Sequence, residues 1–191
     1  MGRPVATSHA DIEAAAFKLF EEHGFERTTT AAIAAELKIG RRTLFRYFES
    51  KNDIPWGRFS ESLDAFREVL DATPPDTPLA SAVHRAVIRF NDFGPAAASQ
   101  HRQRMRLILT TPALQAHSVL RYAAWRDVIA EYVARRTGDV AAAPFPRTVG
   151  HVSLALALSA YEAWLDDDQA DLLELLDDSM AHLHRYLGLL T

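Results

Sequence analysis

The stretch of sequence that decides the fold runs from residue 24 to residue 51 and reads GFERTTTAAIAAELKIGRRTLFRYFESK. Thr29 or Thr30 can cap a short helix, because a threonine hydroxyl accepts a hydrogen bond from a free N–H in the first helical turn. Residues 37–40 predict a tight turn, and a second short helix is expected over residues 41–48. Two short helices separated by a tight turn form a helix-turn-helix.

Helical signals recur on both sides of this stretch. Ser8 opens a helix that is expected to end at Gly24, and Ser50 opens another that is expected to reach about Ala72. Proline and glycine mark the later boundaries, which are the linker 73–78, Gly94-Pro95, Thr111-Pro112 and Gly138.

These boundaries predict nine helices, and no run of alternating apolar residues indicates a strand. We therefore expect an all-α protein. A three-helix helix-turn-helix domain is expected in residues 1–50, and a six-helix bundle in residues 51–191. The last two helices are expected at about 147–165 and 169–189.

Composition excludes several classes of protein. With 48% hydrophobic and 24% charged residues among 191, the chain is globular rather than disordered. The absence of cysteine excludes disulfides, thiolate catalysis and sulfur-bound metals. The N-terminus lacks a signal peptide, and the most apolar stretch, residues 149–160, is too short to span a bilayer. We expect a cytoplasmic protein without membrane contact.

Charge is distributed unevenly along the chain, whose net charge is −4. Residues 37–51 carry five basic side chains against Glu49 alone, whereas residues 166–178 carry seven acidic side chains and no basic one. A basic segment inside an acidic chain indicates a local nucleic-acid surface. The acidic run is expected to be solvated surface.

The central stretch resembles the N-terminal DNA-binding domain of the TetR family of transcriptional regulators, over about residues 8–54. The matching motifs are Gly24-Phe25, Thr28-Thr29-Thr30, Ile33-Ala34 and residues 42–51. Three later strings, at 52–56, 101–105 and 112–117, resemble the subgroup of regulators associated with mycofactocin gene clusters. The resemblance implies a repressor that leaves a palindromic operator when an effector binds.

Candidate DNA-binding residues lie on and beside the helix at 41–48. Its outward face would offer basic and polar groups to phosphates and base edges, from Arg41, Arg42, Thr43, Phe45, Arg46 and Tyr47. The resemblance places phosphate contacts at Thr29, Thr43, Phe45, Tyr47 and Lys51.

Some positions depart from the family pattern. Lys38 stands where a glycine usually turns the chain, so a left-handed backbone there would cost about 1 kcal/mol. Gly40 replaces a serine cap, and Phe45 replaces a tyrosine and cannot donate a hydrogen bond. Arg42 replaces a small residue and suits a bidentate contact with guanine. Arg3 could enter a minor groove, although a disordered arginine is the alternative.

By the same resemblance, residues 51–191 form a ligand-binding and dimerisation domain. We expect an apolar effector, an acyl chain or acyl thioester, with Arg104 or His117 at its polar end. The candidate ligand-binding residues are Phe90, Phe93, His101, Arg104, Met105, Ile108, His117, Leu120, Trp125 and Tyr161. Most large apolar residues here are expected to be plain core rather than cavity wall.

A homodimer is expected through the last two helices, because symmetric operators are read by two-fold proteins. The apolar stripes predicted to form the interface comprise Leu154, Ala155, Leu158, Tyr161, Leu165, Leu172, Leu176, Leu183 and Leu187. Pro55 and Gly57 interrupt the helix expected from Ser50, and predict either a hinge or a tolerated kink.

No enzymatic activity, catalytic residue, cofactor or metal is expected. The sequence has no phosphate-binding loop, nucleophile elbow or HExxH string. His182 and His184 are two apart and would face different sides of a helix. His84, His101 and His117 could converge from separate helices, but structural roles are expected for them.

Two functions remain at this point. The first is a ligand-responsive DNA-binding repressor. The second is an all-α small-molecule carrier or partner-binding protein with a vestigial helix-turn-helix. The basic helix favours the first, because a carrier does not need it.

Overall fold

The structure, a computed structural model, describes residues 7–189. Arg3, considered above for a minor groove, lies outside the described residues. The described chain contains α1 (His9–His23), α2 (Thr30–Glu36), α3 (Arg41–Phe45), α4 (Phe59–Asp71), α5 (Leu79–Phe90), α6 (Ala98–Thr110), α7 (Pro112–Thr137), α8 (Pro144–Asp166) and α9 (Leu172–Leu187). Short 3-10 helices lie at Lys51–Trp56 and Pro95–Ala97, and residues 7–189 contain no strand. The predicted all-α class with nine α-helices is confirmed.

Local capping explains where the first helices begin and end. The Ser8 hydroxyl accepts a 3.2 Å hydrogen bond from the N–H of Asp11, and the Asp11 carboxylate accepts a 2.9 Å hydrogen bond from the N–H of Ser8. This reciprocal capping box starts α1, which ends at Gly24, where φ is 80°. The Thr29 hydroxyl accepts a 3.1 Å hydrogen bond from the N–H of Ala32 and starts α2.

The single helix expected from Ser50 to Ala72 is wrong. Ser50 and Asp53 do form a capping box, but it opens a 3-10 helix that ends at Trp56. Pro55 has no N–H to donate within this segment, and Gly57 adopts a φ of 54°, which glycine tolerates without steric cost. The chain therefore turns before α4 begins at Phe59.

Other boundaries also differ from the sequence prediction: α8 begins at Pro144 rather than near 147, and α9 begins at Leu172 rather than near 169. Helix α3 ends at Phe45, and residues 46–47 continue as a turn. Pro78, rather than Thr77, is the N-cap of α5, and no side chain caps that end. The free N–H groups in the first turn of α5 therefore receive no hydrogen bond from an N-cap side chain.

The chain divides into two compact units. The first contains residues 7–59 together with 107–117, so the end of α6 and the start of α7 belong to it. Residue 50, the expected domain boundary, lies inside this unit. Its core is a buried apolar cluster of Ile12, Ala16, Phe17, Leu19, Phe20, Phe25, Ile33, Ala34, Leu44, Phe48, Ile54 and Leu114.

Among the described residues, the second unit contains 60–106 and 118–189. Phe66 stacks on Trp125 with ring centroids 5.4 Å apart, and Phe90 packs against both rings. Helices α8 and α9 pack on each other and on α5. Gly150 lets α8 approach α7 closely, since a Cβ there would lie 2.9 Å from the Arg126 carbonyl oxygen.

Part of the apolar stripe predicted to form the dimer interface is wrong, because some of its residues are buried inside the protomer. Tyr161, Leu172 and Leu176 are buried within the same protomer. They fill the core of the second unit because they lie on the faces that α8 and α9 turn toward each other and α5. Ala155 is exposed and Leu158 half-buried, so they remain on an outer face.

Candidate DNA-binding surface and effector cavity

Helix α3 is anchored by its apolar residues and exposes its basic ones. Leu44 is fully buried in the core of the first unit. Arg41, Arg42 and Arg46 are exposed, and Phe45 exposes 42% of its surface. No carboxylate lies within α3. A short cationic helix held by a single buried leucine can present its outer face to the major groove of a duplex.

In the turn before α3, Lys38 has the left-handed backbone conformation that the sequence analysis identified as unfavourable for a residue other than glycine. Lys38 adopts a φ of 55°, the left-handed region that favours glycine. Gly40 is the N-cap of α3 and offers no side-chain hydrogen bond. The turn is closed by backbone hydrogen bonds, including one of 2.9 Å from the N–H of Ile39 to the Ala34 carbonyl.

Two candidate DNA contacts, one on α3 and one just after it, are constrained by neighbouring groups. The Arg41 guanidinium lies 5.8 Å from the centre of the Phe45 ring, one helical turn away. Tyr47 is half-buried; its hydroxyl donates to the Thr7 carbonyl, and its ring meets His9 edge-on at 4.9 Å. Tyr47 thus ties the chain before α1 to the end of the helix-turn-helix. Thr43 is also half-buried.

Lys51 is held by the protein itself. Its ammonium donates to the carbonyls of Phe25 at 2.7 Å and Thr28 at 3.0 Å, and a longer contact reaches Glu26 at 3.4 Å. It also lies 4.2 Å from the centre of the Phe25 ring. The positive charge therefore closes the loop between α1 and α2. Thr29 is exposed at the start of α2.

The second unit contains a cavity of about 570 Å³. Its wall comes from the α5–α6 loop, the first turns of α6, the end of α8 and the start of α9. The principal lining side chains are Asn91, Phe93, His101, Arg102, Trp164, Asp168, Leu172 and Leu173. This size lies within the range of about 300–1,000 Å³ that is typical of small-molecule sites.

A chain of buried hydrogen bonds forms one side of this cavity. The Tyr161 hydroxyl donates to Asn91 Oδ1 at 2.6 Å, and His101 Nε2 lies 2.7 Å from the same hydroxyl oxygen. Asn91 in turn donates to the Val87 carbonyl at 2.8 Å. Burial and, as a smaller cause, the positive charge of Arg104 together lower the pKa of His101 to about 4. Burial also raises the pKa of the Tyr161 phenol, so both groups are neutral near pH 7.

The candidate ligand residues do not all meet at one place. Phe93 and His101 line the cavity, and Tyr161 supports it through His101. Leu120 is 75% exposed, whereas Trp125, Met105 and Ile108 are buried core residues. The remaining candidates, Phe90, Arg104 and His117, are outside the cavity lining.

Arg102 is a lining residue that sequence reasoning did not single out. Its guanidinium donates to the Trp164 carbonyl, to the Asp167 carbonyl at 3.0 Å and to the Ala170 carbonyl at 3.4 Å. It also lies 4.1 Å from the centre of the Trp164 ring. It therefore caps the C-terminal end of α8, where a cation is favoured. The only sequence feature near Arg102 that pointed to this site is the Gly94-Pro95 break, which places a loop just before α6.

His117 belongs to the first unit, where its Nε2 lies 2.9 Å from Asp53 Oδ1. The other oxygen of Asp53 accepts hydrogen bonds from the Ser50 N–H at 2.9 Å and the Ser50 hydroxyl at 2.7 Å. Asp53 thus joins the end of the helix-turn-helix to the second turn of α7. Sequence spacing carries no signal for this pair.

The three separate histidines have separate partners. His84 Nε2 lies 2.9 Å from Asp177, His101 contacts Tyr161, and His117 contacts Asp53. Across residues 7–189, no group of histidine and acidic side chains is arranged to hold a metal ion. Within the same residues, no helix combines the length and apolarity that a membrane span requires.

Comparison with protein families accounts for both parts of the chain. Residues 12–54 match the bacterial regulatory proteins of the tetR family, and residues 77–188 match the MftR C-terminal domain. This chain belongs to the TetR family of transcriptional regulators. The second match confirms the subgroup that the sequence suggested, and the family consists of regulators rather than enzymes.

Similar proteins support the same assignment of this TetR-family regulator. A Mycobacterium tuberculosis protein named as the mycofactocin biosynthesis transcriptional regulator MftR is 45% identical, over 92% of this chain and 89% of that protein. The structure of SmeT, the repressor of the Stenotrophomonas maltophilia multidrug efflux pump SmeDEF, covers 94% of this chain and 92% of its own, at 20% identity and a TM-score of 0.61. Thermus thermophilus FadR, a TetR-family repressor solved with lauroyl-CoA, covers 91% and 92%, at 21% identity and a TM-score of 0.57. The two solved structures establish the shared fold.

Proposed function

We propose that this regulator is a ligand-responsive repressor that binds a palindromic operator as a homodimer and leaves it when an apolar effector binds. Residues 1–50 act as the DNA-binding domain, and residues 51–191 as the ligand-binding and dimerisation domain, in the cytoplasm. The observation that carries the proposal is the outer face of α3, where Arg41, Arg42 and Arg46 are exposed beside the buried Leu44.

The exposed face of α3 suits direct reading of base edges. An arginine such as Arg42 can donate two hydrogen bonds to guanine. The exposed Phe45 ring cannot donate, but it offers the kind of apolar surface that contacts a thymine methyl group. Thr29, Thr43, Tyr47 and Lys51 remain the proposed backbone contacts, in addition to the intramolecular hydrogen bonds that Thr29, Tyr47 and Lys51 make.

DNA binding can be tested by fluorescence anisotropy with inverted repeats from the DNA flanking the protein's own gene. Affinity should fall steeply as salt rises, because phosphate contacts release counterions. Arg42→Ala should weaken operator binding by about 1–3 kcal/mol and relax sequence preference. Arg85→Ala, a matched loss of an exposed arginine on α5, should leave affinity unchanged. Equal effects of the two variants would contradict the assignment, and no binding to any duplex would favour a carrier with a vestigial helix-turn-helix.

The proposed homodimer uses the outer faces of α8 and α9. Ala155 and Ser159 are small, exposed and one helical turn apart on α8, and Leu154 and Leu158 flank them. Small residues allow two helices to approach closely. Ala155→Arg should convert the dimer to a monomer in sedimentation equilibrium and abolish tight operator binding, whereas Ala80→Arg on α5 should not. A dimer that survives Ala155→Arg would place the interface elsewhere.

The proposed effector is an acyl chain or acyl thioester that enters the 570 Å³ cavity of the second unit. Its support is the apolar wall that Phe93, Trp164 and Leu172 provide, and the lauroyl-CoA bound by a repressor of the same fold. Transmission through the break at Pro55 and Gly57 stays a prediction, which an unchanged effector response in Pro55→Ala would reject.

Effector binding can be tested with lauroyl-CoA as the probe. Adding it to the operator complex should release DNA from the wild-type protein. Ala98→Trp would fill the cavity and should abolish release without changing DNA affinity, since Ala98 lines the wall. Ala80→Trp, a matched change at an exposed position of α5 outside the lining, should respond like wild type. Release from Ala98→Trp at wild-type concentrations would exclude this cavity as the site.

A further inference from the structure

The hydrogen-bond chain beside the cavity defines which atom of His101 carries the proton. Tyr161 has a single hydroxyl hydrogen, and it donates that hydrogen to Asn91 Oδ1 at 2.6 Å. The Tyr161 oxygen therefore acts as the acceptor for His101 Nε2 at 2.7 Å. A neutral imidazole with its proton on Nε2 has a lone pair on Nδ1.

The orientation of Asn91 supports this direction. Its amide nitrogen donates to the Val87 carbonyl at 2.8 Å, which leaves Oδ1 to face Tyr161. A reversed amide would place a donor against the Tyr161 hydroxyl and two acceptors, Oδ1 and the Val87 carbonyl, against each other. The chain from Val87 to His101 thus has one consistent direction.

Nδ1 is the part of the ring that remains for a ligand. His101 is 9% exposed and lines the cavity, with its Nε2 edge covered by Tyr161. Phe93 covers the ring at a centroid distance of 4.0 Å, and Trp164 lies 5.8 Å away. Among residues 7–189, no protein group donates a hydrogen bond to Nδ1. A lone pair in a nearly buried position is stabilised by a donor that arrives with the ligand.

The charged groups of the lining reinforce the same preference. Asp92, Asp168 and Asp171 contribute three carboxylates, against the single guanidinium of Arg102. That guanidinium already donates to the carbonyl oxygens at the end of α8. The neighbouring cation, Arg104, is not part of the lining. Asp92 is paired with Arg89 at 2.9 Å and Asp168 with Arg106 at 3.8 Å, so an anionic ligand end would meet the His101 lone pair and, as the cation of the lining, a guanidinium that already has protein partners.

We propose that His101 Nδ1 is the acceptor that anchors the effector, and that the cavity selects apolar ligands with a neutral hydrogen-bond donor, a hydroxyl or an amide N–H, over carboxylates. This inference rests on the proposed function, because it assumes that the cavity receives the effector. It replaces the expectation that Arg104 or His117 meets an anionic end. In an acyl thioester of coenzyme A, such as lauroyl-CoA, the donors are the amide N–H groups next to the thioester, not the thioester itself. Tyr161 and Asn91 are positioning residues that hold the imidazole in the accepting tautomer.

Three probes of equal chain length separate the roles of donor and charge. 1-Dodecanol offers a neutral donor, methyl dodecanoate is neutral without a donor, and dodecanoate is an anion without a donor. Calorimetric titration of the wild-type protein, at probe concentrations below those at which the probes aggregate, should give affinities that decrease in the order alcohol, ester, carboxylate. The alcohol should bind about 3- to 10-fold more tightly than the ester, the range expected for one net hydrogen bond. The carboxylate should bind more weakly than the ester.

Tyr161→Phe tests the relay itself. Without the acceptor on Tyr161, His101 can move its proton to Nδ1, so the preference for alcohol over ester should fall below about threefold. Tyr132→Phe removes another buried tyrosine hydroxyl, one that contacts Arg136 away from the cavity, and should keep the wild-type preference. Nitrogen NMR of labelled histidine gives a readout independent of the ligand: His101 should carry its proton on Nε2 in the wild type. His101→Gln identifies its signals by their loss.

The outcomes separate the two proposals. A carboxylate that binds as tightly as the alcohol, or a proton on Nδ1 in the free wild-type protein, would overturn the assignment of His101. If the probes bind in the expected order but leave the operator complex intact, the assignment of His101 holds, but the proposal that a ligand in this cavity releases DNA is wrong. If none of the probes binds, the cavity is not an apolar ligand site, and both fall.

Discussion

At the scale of single residues, Lys51 illustrates how a cation in a DNA-binding unit can serve the protein interior. Its ammonium lies against the carbonyls of Phe25 and Thr28 and above the Phe25 ring. Charge-assisted hydrogen bonds to carbonyls in a partly buried position are stronger than those between neutral groups. Lys51 therefore stabilises the loop from which Thr29 starts α2.

Replacing Lys51 with methionine should lower the free energy of unfolding by about 1–2 kcal/mol, because two carbonyls lose a charged donor. Urea denaturation measures this loss. Lys18→Met serves as the control: it removes an exposed lysine paired with Glu36 at 2.7 Å, and exposed pairs contribute little. Equal losses in the two variants would show that Lys51 has no special structural role.

His101 predicts a pH dependence of stability. Its pKa in the folded protein, about 4, lies below the ordinary value of 6.5, so the unfolded chain binds more protons between these pH values. Its contribution is complete above about pH 6.5 and is lost as pH falls toward 4. The loss should reach about 3 kcal/mol.

Urea denaturation from pH 7 to pH 4 on wild type and His101→Gln measures this contribution. The difference in stability between the two proteins should shrink with falling pH, because only the wild type carries the buried imidazole. A difference that stays constant with pH would contradict burial of a neutral His101.

At the scale of helices, Gly150 permits the close approach of α8 to α7. A Cβ at this position would lie 2.9 Å from the Arg126 carbonyl oxygen, and backbone cannot rotate away as a side chain can. Crowding of this kind in a packed interior typically costs about 1–3 kcal/mol.

We expect Gly150→Ala to lower the thermal midpoint, although alanine favours helix more than glycine does. Gly188→Ala provides the matched control at the end of α9, where the nearest oxygens would lie at 3.5 Å, an ordinary contact distance. That variant should be neutral or slightly stabilising. A stabilising Gly150→Ala would show that the two helices can separate without cost.

At the scale of the whole molecule, the first unit is assembled from two distant parts of the chain. Leu114, in the first turn of α7, is fully buried among Phe17, Phe20 and their neighbours. His117 follows one turn later and pairs with Asp53. The DNA-reading unit thus depends on residues more than fifty positions beyond its last helix.

Leu114→Ala should therefore destabilise the first unit by about 2–5 kcal/mol, as large-to-small changes in a core do. It should also weaken operator binding, although it lies outside residues 1–50. Val119→Ala, on the same helix but 62% exposed, is the matched control and should change neither property. Chemical denaturation and anisotropy together measure both effects; a silent Leu114→Ala would mean that α1–α3 fold without α7.

The helices and turns near the N-terminus could be predicted from sequence because their causes are local. Ser8, Thr29 and Gly24 act on backbone groups within a few residues, and the turn at Lys38 is closed by its own neighbours. Such interactions are readable from spacing alone. The exposed basic face of α3 followed in the same way from the buried position of Leu44.

The cavity, the carbonyl contacts of Lys51 and the pair of Asp53 with His117 were decided by tertiary structure. Each joins residues that are tens of positions apart, and many partners are equally compatible with the sequence. Composition could suggest that His101 and Tyr161 share a domain, but only packing brings them within 2.7 Å. Local chemistry thus determined the N-terminal helices and the exposed basic face of α3, whereas long-range packing determined which side chains line the cavity.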